Sequence, residues 1–283
     1  MITPELQKKI NQAIRLLQSV AKDDVVEVAY SGGKDSDVIL QLAKEAGIKY
    51  RAIYKNTTID PPGTLKHCKD NGVEIFRPTM TFTQVIERAG FPNQFRRFCC
   101  AFLKEYKVLN KAVHGVRRAE SKRRADRYHE PLRCRWYGSK KEENHVQVML
   151  PILEWTDQDV LDFVNDRKIK LHPLYYKEDG TVDVTQRLGC MCCPLASNRK
   201  RIEAFKKWPR MIKLYCRAGQ KFRDTHPDAV QTKKYKDVYE WFCRDIFFYN
   251  QEKWEAHLAS LALFGDTFDY KKYLEDYFHI ELP

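Results

Sequence analysis

Apolar positions recur along the chain in two periods. Leu6, Ile10, Ile14 and Leu17 stand three or four apart, which predicts an amphipathic helix over residues 4–22. Residues 25–30 form a short β-rich run, followed by Ser31-Gly32-Gly33-Lys34-Asp35-Ser36 and a helical pattern that Gly47 ends. The alternation continues with a strand at 50–54, a Pro-Pro-Gly turn, a helix to about 70 and a strand at 74–76. Further on, the pattern predicts helices at 82–89 and 101–111, strands at 112–116 and 146–150, and a helix at 156–166. After 195 it is helical to the end, with Trp208-Pro209 dividing residues 198–222 into two helices. Strand–helix alternation means a parallel sheet with right-handed crossovers. The expectation is an α/β fold, a Rossmann-like parallel sheet with helices on both faces, over residues 1–195. A helical C-terminal extension is expected over 196–283.

An apolar fraction of 43% over 283 residues supplies a core and excludes a disordered chain. No run of about 18 apolar residues exists, so no membrane span is expected. The first residues lack an apolar signal core, so a cytoplasmic location is expected. Nine cysteines in such a chain read as reduced thiols or metal ligands. The net charge of +12 is concentrated: residues 96–143 and 199–223 each carry +9, while 144–198 and 224–283 are net acidic. Either segment is a solvated helix face or an electropositive site for a phosphate-bearing partner.

The loop Ser31-Gly32-Gly33-Lys34-Asp35-Ser36 sits between a strand and a helix, where α/β sheets bind phosphate. Glycines allow the backbone to approach an anion, and the first amides of the following helix point at it. Lys34 adds a point charge, and Ser31 and Ser36 add hydroxyls. The spacing is neither that of a Walker A loop nor that of a dinucleotide fingerprint.

SGGKDS resembles the pyrophosphate loop of the adenine nucleotide α-hydrolase superfamily, and further segments resemble its phosphoadenosine phosphosulfate reductase family. They are residues 55–65, Cys99-Cys100-Ala101-Phe102-Leu103-Lys104, residues 115–124 (GVRRAESKRR), residues 151–156 and Leu188-Gly189-Cys190-Met191-Cys192-Cys193-Pro194. The resemblance implies a nucleotide site for ATP with Mg2+ or for an adenylyl sulfate. Ser31, Gly32, Gly33, Asp35, Ser36, Asn56, Arg117 and Arg124 would bind the nucleotide. Lys34, Asp35, Lys104 and Arg117 would be the catalytic groups, with arginine suited to gripping two oxygens at once.

Cys99 and Cys100, followed about 90 residues later by Cys190-x-x-Cys193, offer four soft thiolates. Such a set suits a [4Fe–4S] cluster, as the resembled adenylyl-sulfate reductases imply, and also suits zinc. Cys192 is an extra thiol inside the turn. Cys68, Cys134, Cys216 and Cys243 read as packing or surface thiols, with Cys134 kept as a reactive candidate because it lies in a basic run.

Assimilatory reductases of the resembled family attack sulfur with a cysteine near the C-terminus. Here the last cysteine, Cys243, lies in an aromatic helical stretch. The leading expectation is therefore ATP-pyrophosphatase-type sulfur transfer of the kind that thiolates nucleic acids, assisted by an electron or sulfur donor protein. The basic segment 199–223 would meet nucleic acid. A sulfonucleotide reductase with another nucleophile and a non-catalytic nucleotide sensor are the alternatives.

Overall fold

A computed structural model describes residues 2–93, 95–137, 141–247, 259 and 268–283. Strands β1 (Val26–Tyr30), β2 (Tyr50–Lys55), β3 (Glu74–Phe76), β4 (Lys111–His114), β5 (Leu132–Trp136) and β6 (His145–Met149) form one sheet in the order β3-β2-β1-β4-β6-β5. Every pairing is parallel except β5 with β6. Helices α1 (Pro4–Ala21), α2 (Lys34–Glu45), α3 (Thr64–Asp70), α4 (Phe82–Ala89), α5 (Phe98–Leu103), α6 (Lys122–Arg127) and α7 (Asp157–Asp166) punctuate the strands. Helices α8 (Asn198–Lys207), α9 (Arg210–Thr225), α10 (Val230–Lys234) and α11 (Val238–Phe242) follow. A π-helical turn at Cys243–Phe247 and a last helix at Tyr270–Phe278 come after them.

The chain divides into two compact units. The first comprises Met1–Asn56, Asp60–Arg77 and Lys104–Gly189, and holds the sheet. The second comprises Thr57–Ile59, Pro78–Leu103 and Cys190–Pro283. The part of the expected C-terminal extension at 248–258 and 260–267 lies outside the described residues.

In the first unit, one sheet face buries Val26, Val28, Tyr30, Ala52, Tyr54, Val113 and Met149 against the apolar sides of α1, α2 and α7. That is why β1 and β2 are rich in apolar residues on this face. The other face buries Ala112, Val146 and Val148. It also carries Glu27, 3% exposed, whose charge is met by Lys55 Nζ at 2.9 Å.

Two elements differ from the sequence reading. The helix expected at 101–111 is α5, which stops at Leu103, and β4 begins at Lys111. The carbonyls between them serve other partners: Tyr106 O accepts from Lys55 Nζ at 2.7 Å, and Asn110 O accepts from Gln147 N at 2.8 Å. A helix over 101–111 would instead give Tyr106 O to the Asn110 amide. Strand β4 ends at His114 rather than 116, because Arg118 N turns away to Leu153 O at 2.9 Å. Strand β5, which the sequence reading omits, is the antiparallel edge. Pro209 separates α8 from α9 as expected, with α9 starting at the next residue.

His114 lies at the end of β4. Burial, with the Arg135, Lys55 and Arg133 cations, pushes its imidazole down to about 4. An unfolded histidine titrates near ~6.5. Between these values the unfolded chain binds a proton that the folded chain refuses. Stability therefore rises with pH across the window, and His114 removes on the order of 2–3 kcal/mol as pH falls through it. Urea unfolding at pH 7 and pH 4.5 should show a steeper acid loss for the native chain than for His114→Gln.

The second unit is built on aromatic residues: Phe82, Phe91, Phe205, Tyr215, Trp241 and Phe242 form one buried cluster. Helix α9 packs tightly at Gly219, where an added Cβ would lie 2.5 Å from the Phe91 ring and 2.9 Å from a Val238 methyl. A ring packed on Trp241 at 4.1 Å has little room to retreat. Gly219→Ala should cost about 1–3 kcal/mol, typical of an overfilled core, seen as a lower melting temperature.

Candidate nucleotide site and cysteine site

The glycine loop leaves β1 at Ser31 and enters α2 at Lys34. Gly32 has φ +76°, a left-handed conformation that favours glycine. A Cβ there would also meet Thr64 Cγ2 at 3.1 Å and Leu188 Cδ2 at 3.3 Å. The Ser36 and Asp37 amides turn back to Gly33 O, and Ser36 Oγ donates to the same carbonyl at 2.6 Å. Tyr175 receives the Lys34 amide at 3.2 Å and the Leu188 amide at 3.3 Å on its hydroxyl. The Gly32, Gly33 and Asp35 amides have no protein acceptor among the described residues, so the start of α2 offers N–H groups to an anion.

Around this loop the charges are tied together. Arg117 is 1% exposed. It donates from Nε to Asp35 Oδ1 at 2.7 Å, from Nη2 to Asp157 Oδ1 at 2.8 Å and from Nη1 to Trp155 O at 3.3 Å. Lys34 Nζ lies 3.3 Å from Asp35 Oδ2 and 3.4 Å from Gln186 O. Asp35 is thus held by a cation on each oxygen, and the fork of Arg117 is engaged by the protein itself. Arg124 pairs with Glu120. Burial, together with Arg187 beside it, lowers the pKa of its guanidinium. Asn56 is half-buried just past β2, its amide donating to Phe76 O at 3.0 Å. Lys104 is exposed, one residue past α5.

Beneath the loop runs a buried polar chain. Tyr30 OH donates to the Asp37 carboxylate, and His67 Nε2 lies 3.0 Å from Asp37 Oδ1. Burial pushes the Asp37 carboxyl up, against the pull of the His67 and Tyr30 hydrogen bonds. His67 meets His172 edge-on, and His172 Nε2 lies 3.3 Å from Thr64 Oγ1. The Thr64 methyl in turn rests against Gly32, so this chain supports the loop from below.

The sequence reading did not single out Tyr175, Asp157, Asp37, His67 or Arg187. Only Asp37 carried a signal, a second acid in the first turn of α2 that leads straight into the apolar run Val38-Ile39-Leu40. Such an acid is buried and needs a partner.

The five relevant thiols all belong to the second unit. Cys99 and Cys100 are buried on α5, and Cys190 and Cys193 are half-buried. The Cys100 hydrogen bond and burial push the Cys99 thiol well up, helped by the nearby Cys193 and Cys190 sulfurs. Cys190 Sγ donates to Thr57 Oγ1 at 3.4 Å, and Met191 N donates to Ile59 O at 2.7 Å, which fixes the start of the cysteine turn. Cys192 has a left-handed backbone, φ +49°, and its sulfur lies 4.0 Å from Trp208 O. Among the described residues, no three His, Cys, Asp or Glu side chains stand at metal-holding distances. Cys68, Cys216 and Cys243 are buried, whereas Cys134 is exposed.

A parallel sheet with an SGGKDS loop entering α2, and Arg117 locked to its aspartate, is the architecture of a pyrophosphate-loop nucleotide-binding domain. Residues 26–196 match the phosphoadenosine phosphosulfate reductase domain, and the chain belongs to that family. It is similar to an uncharacterised protein of Methanocaldococcus jannaschii, 27% identical over 260 residues, which cover 81% of this chain and 60% of the relative. It is also similar to an uncharacterised 37.8 kDa protein of Escherichia phage 186, 32% identical over 155 residues, covering 50% of this chain and 43% of the relative. The chain thus spans less than two thirds of either relative's length. Among solved structures, phosphoadenylyl-sulfate reductase from Candida auris aligns over 65% of this chain and 96% of its own, at 13% identity and a TM-score of 0.44. FMN adenylyltransferase from Candida glabrata aligns over 60% of this chain and 58% of its own, at 15% identity and a TM-score of 0.40. Among the described residues no helix is long and apolar enough to cross a membrane.

Proposed function

We propose that the chain is an adenine-nucleotide-dependent enzyme of sulfur transfer. The observation that carries this reading is the start of α2, where the Gly32, Gly33 and Asp35 amides have no protein acceptor among the described residues while Arg117 and Lys34 hold Asp35 from both sides. Such a loop suits the phosphates of ATP. The α-phosphorus would pass to an acceptor oxygen with pyrophosphate leaving, and a sulfide-level donor would then displace the adenylate. The amides would stabilise the negative charge that develops on the phosphate oxygens. Asp35, fixed in direction by Arg117 and Lys34, would orient the Mg2+ that accompanies ATP.

Cys99, Cys100, Cys190 and Cys193 would hold a [4Fe–4S] cluster. What supports it is the chemistry of the donor set, four soft thiols within the second unit. When bound, with each iron capped by one of these thiolates, the cluster would supply a one-electron redox centre. Zinc suits the same donors. Protein purified without oxygen should carry about four iron and four sulfide per chain and absorb near the visible iron–sulfur band. Cys99→Ser or Cys193→Ser should lose both signals, and Cys192→Ser should keep them. Zinc with no sulfide would replace the cluster with a structural site.

A sulfonucleotide reductase is the second reading, favoured by the exposed Cys134 between Arg133 and Arg135 on β5. Cys243 offers this reading no nucleophile, since burial pushes its thiol well up. Parallel anaerobic incubations with ATP and with adenylyl sulfates separate the two readings. Pyrophosphate release supports sulfur transfer. With a dithiol reductant present to cleave the Cys134 thiosulfonate and take up the disulfide, sulfite release that disappears in Cys134→Ser supports reduction.

A further inference from the structure

Strand β5 closes one side of the sheet and, among the described residues, pairs only with β6. Its ladder is fixed at both ends: Leu150 N donates to Pro131 O at 2.7 Å, and Tyr137 N donates to Asn144 O at 3.1 Å. In an antiparallel pair the bonded positions alternate. Arg133 and Arg135 therefore turn their N–H and C=O groups to β6, and Leu132, Cys134 and Trp136 turn theirs out of the sheet. Gln147, opposite Cys134, agrees, because its amide goes the other way, to Asn110 O. Among the described residues no backbone partner covers the outward groups of these three positions.

The side chains of this edge are sorted as well. Leu132 is 41% exposed, Trp136 is 40% exposed with its ring 4.8 Å from that of His145, and Cys134 between them is exposed. On the other sheet face Arg133 and Arg135 lie half-buried over the Tyr128 and Tyr137 rings, at 4.7 Å and 4.5 Å. Arg127 of α6 shares the Tyr128 ring. From Lys122 to Tyr137 the chain carries six lysines and arginines against Asp126 and Glu130. Glu120 takes Arg124, and Glu105 takes Arg135 at 3.5 Å. Among the described residues Lys122, Arg123, Arg127 and Arg133 have no carboxylate at ion-pair distance.

An open edge with apolar side chains is a template for another strand. We propose that β5 accepts an extended acidic segment of a partner protein as a seventh strand of the sheet. The outward amides and carbonyls supply the ladder, Leu132 and Trp136 supply apolar contacts, and the Arg133 side supplies the charge complement. A second copy of this chain fits worse. A two-fold pairing centred on Cys134 uses the whole strand, and it sets Arg133 of each copy opposite Arg135 of the other. Like charges directly opposite are destabilising. This docking does not depend on the reaction proposed above.

Fluorescence anisotropy with a labelled peptide of core Val-Glu-Thr-Glu-Val, beside one of core Val-Lys-Thr-Lys-Val, tests the edge. The pattern reads the same in both directions, so either orientation sets valines opposite Leu132 and Trp136 and glutamates opposite the arginines. The native chain should bind the glutamate peptide, less tightly as salt rises, and not the lysine peptide. Cys134→Pro deletes one outward N–H and no bond to β6, which is where a sheet tolerates proline. It should weaken binding about five- to hundredfold, the range for a carbonyl left without its donor, at an unchanged melting temperature. Cys134→Ser keeps the N–H and should bind like the native chain. Arg133→Ala should weaken binding about two- to fivefold and lower the salt dependence. Two glutamate peptides N-methylated at alternate residues test the same ladder without altering the protein: one should bind and the other should not. Equal binding of the glutamate and lysine peptides, or of the two methylated peptides, would overturn the proposal, as would no binding at all or Cys134→Pro binding like Cys134→Ser. A chain that sediments as a dimer, and that Cys134→Pro makes monomeric, would also overturn it, because a second copy then occupies the edge.

Discussion

Arg117→Ala is expected to be the most damaging single substitution at the glycine loop. It removes donors from Asp35, Asp157 and Trp155 O at once. Breaking a buried ion pair typically costs about 3–5 kcal/mol, because the partner stays buried without its counter-charge. The Asp157 side chain is 47% exposed and regains water, which moves the expectation to the lower end, about 3 kcal/mol. The melting temperature should fall by roughly 6–12 °C for a chain of this size. Nucleotide affinity should fall about a hundredfold even where the fold survives, because Asp35 loses its fixed direction. Arg117→Lys should recover part of the stability but little of the affinity, since one ammonium cannot hold two carboxylates in the places of a planar fork. Unfolding curves and nucleotide titrations on the two variants separate these effects. Equal affinity in all three proteins would contradict the role given to Arg117.

Gly115→Ala is expected to act through the backbone. A Cβ at Gly115 would lie 2.8 Å from Asp35 O and 3.0 Å from Asp35 C. Neither is the tip of a flexible side chain, so the end of β4 and the first turn of α2 must part. Overfilling of this kind costs about 1–3 kcal/mol. The larger effect should be on binding, because the displaced turn is the one that carries Asp35 and the open amides. A loss of affinity of at least about tenfold is expected, given how steeply positioning affects function. Gly47→Ala gives the comparison. Gly47 has φ +64° but nothing within 4 Å of an added Cβ. It should lose about 1–2 kcal/mol from left-handed strain with nucleotide affinity unchanged.

Much of the first unit is legible in the sequence because its strands are short apolar runs between turn residues. The loop is legible because two glycines, a lysine and an aspartate stand between a strand and a helix. Strand β5 was missed although Leu132, Cys134 and Trp136 alternate with Arg133 and Arg135. The local excess of positive charge reads as a surface, and its pairing with β6 is a long-range choice that no local pattern declares. The over-long helix at 101–111 fails for the reverse reason. Its residues permit helix, but Lys55 takes the Tyr106 carbonyl it would need, and Asn110 O is drawn to Gln147 N of the neighbouring strand. At the site, the sequence named Arg117 and Asp35 but could not show that they bind each other. Nor could it place Tyr175 on the Lys34 amide, since 141 residues separate them. The Tyr30–Asp37–His67 chain escaped for the same reason, because its members come from a strand, the loop helix and α3.

The central claim is that the amides at the start of α2 left without a protein acceptor donate to the phosphates of an adenine nucleotide. Isothermal titration of the anaerobically purified chain with Mg2+–ATP, and separately with adenosine 5′-phosphosulfate, measures it directly. The claim expects one nucleotide to bind with one-to-one stoichiometry, to be displaced by pyrophosphate, and to lose about a hundredfold in affinity in Arg117→Ala. No heat with either nucleotide, or binding that pyrophosphate does not displace and Arg117→Ala does not weaken, would contradict it.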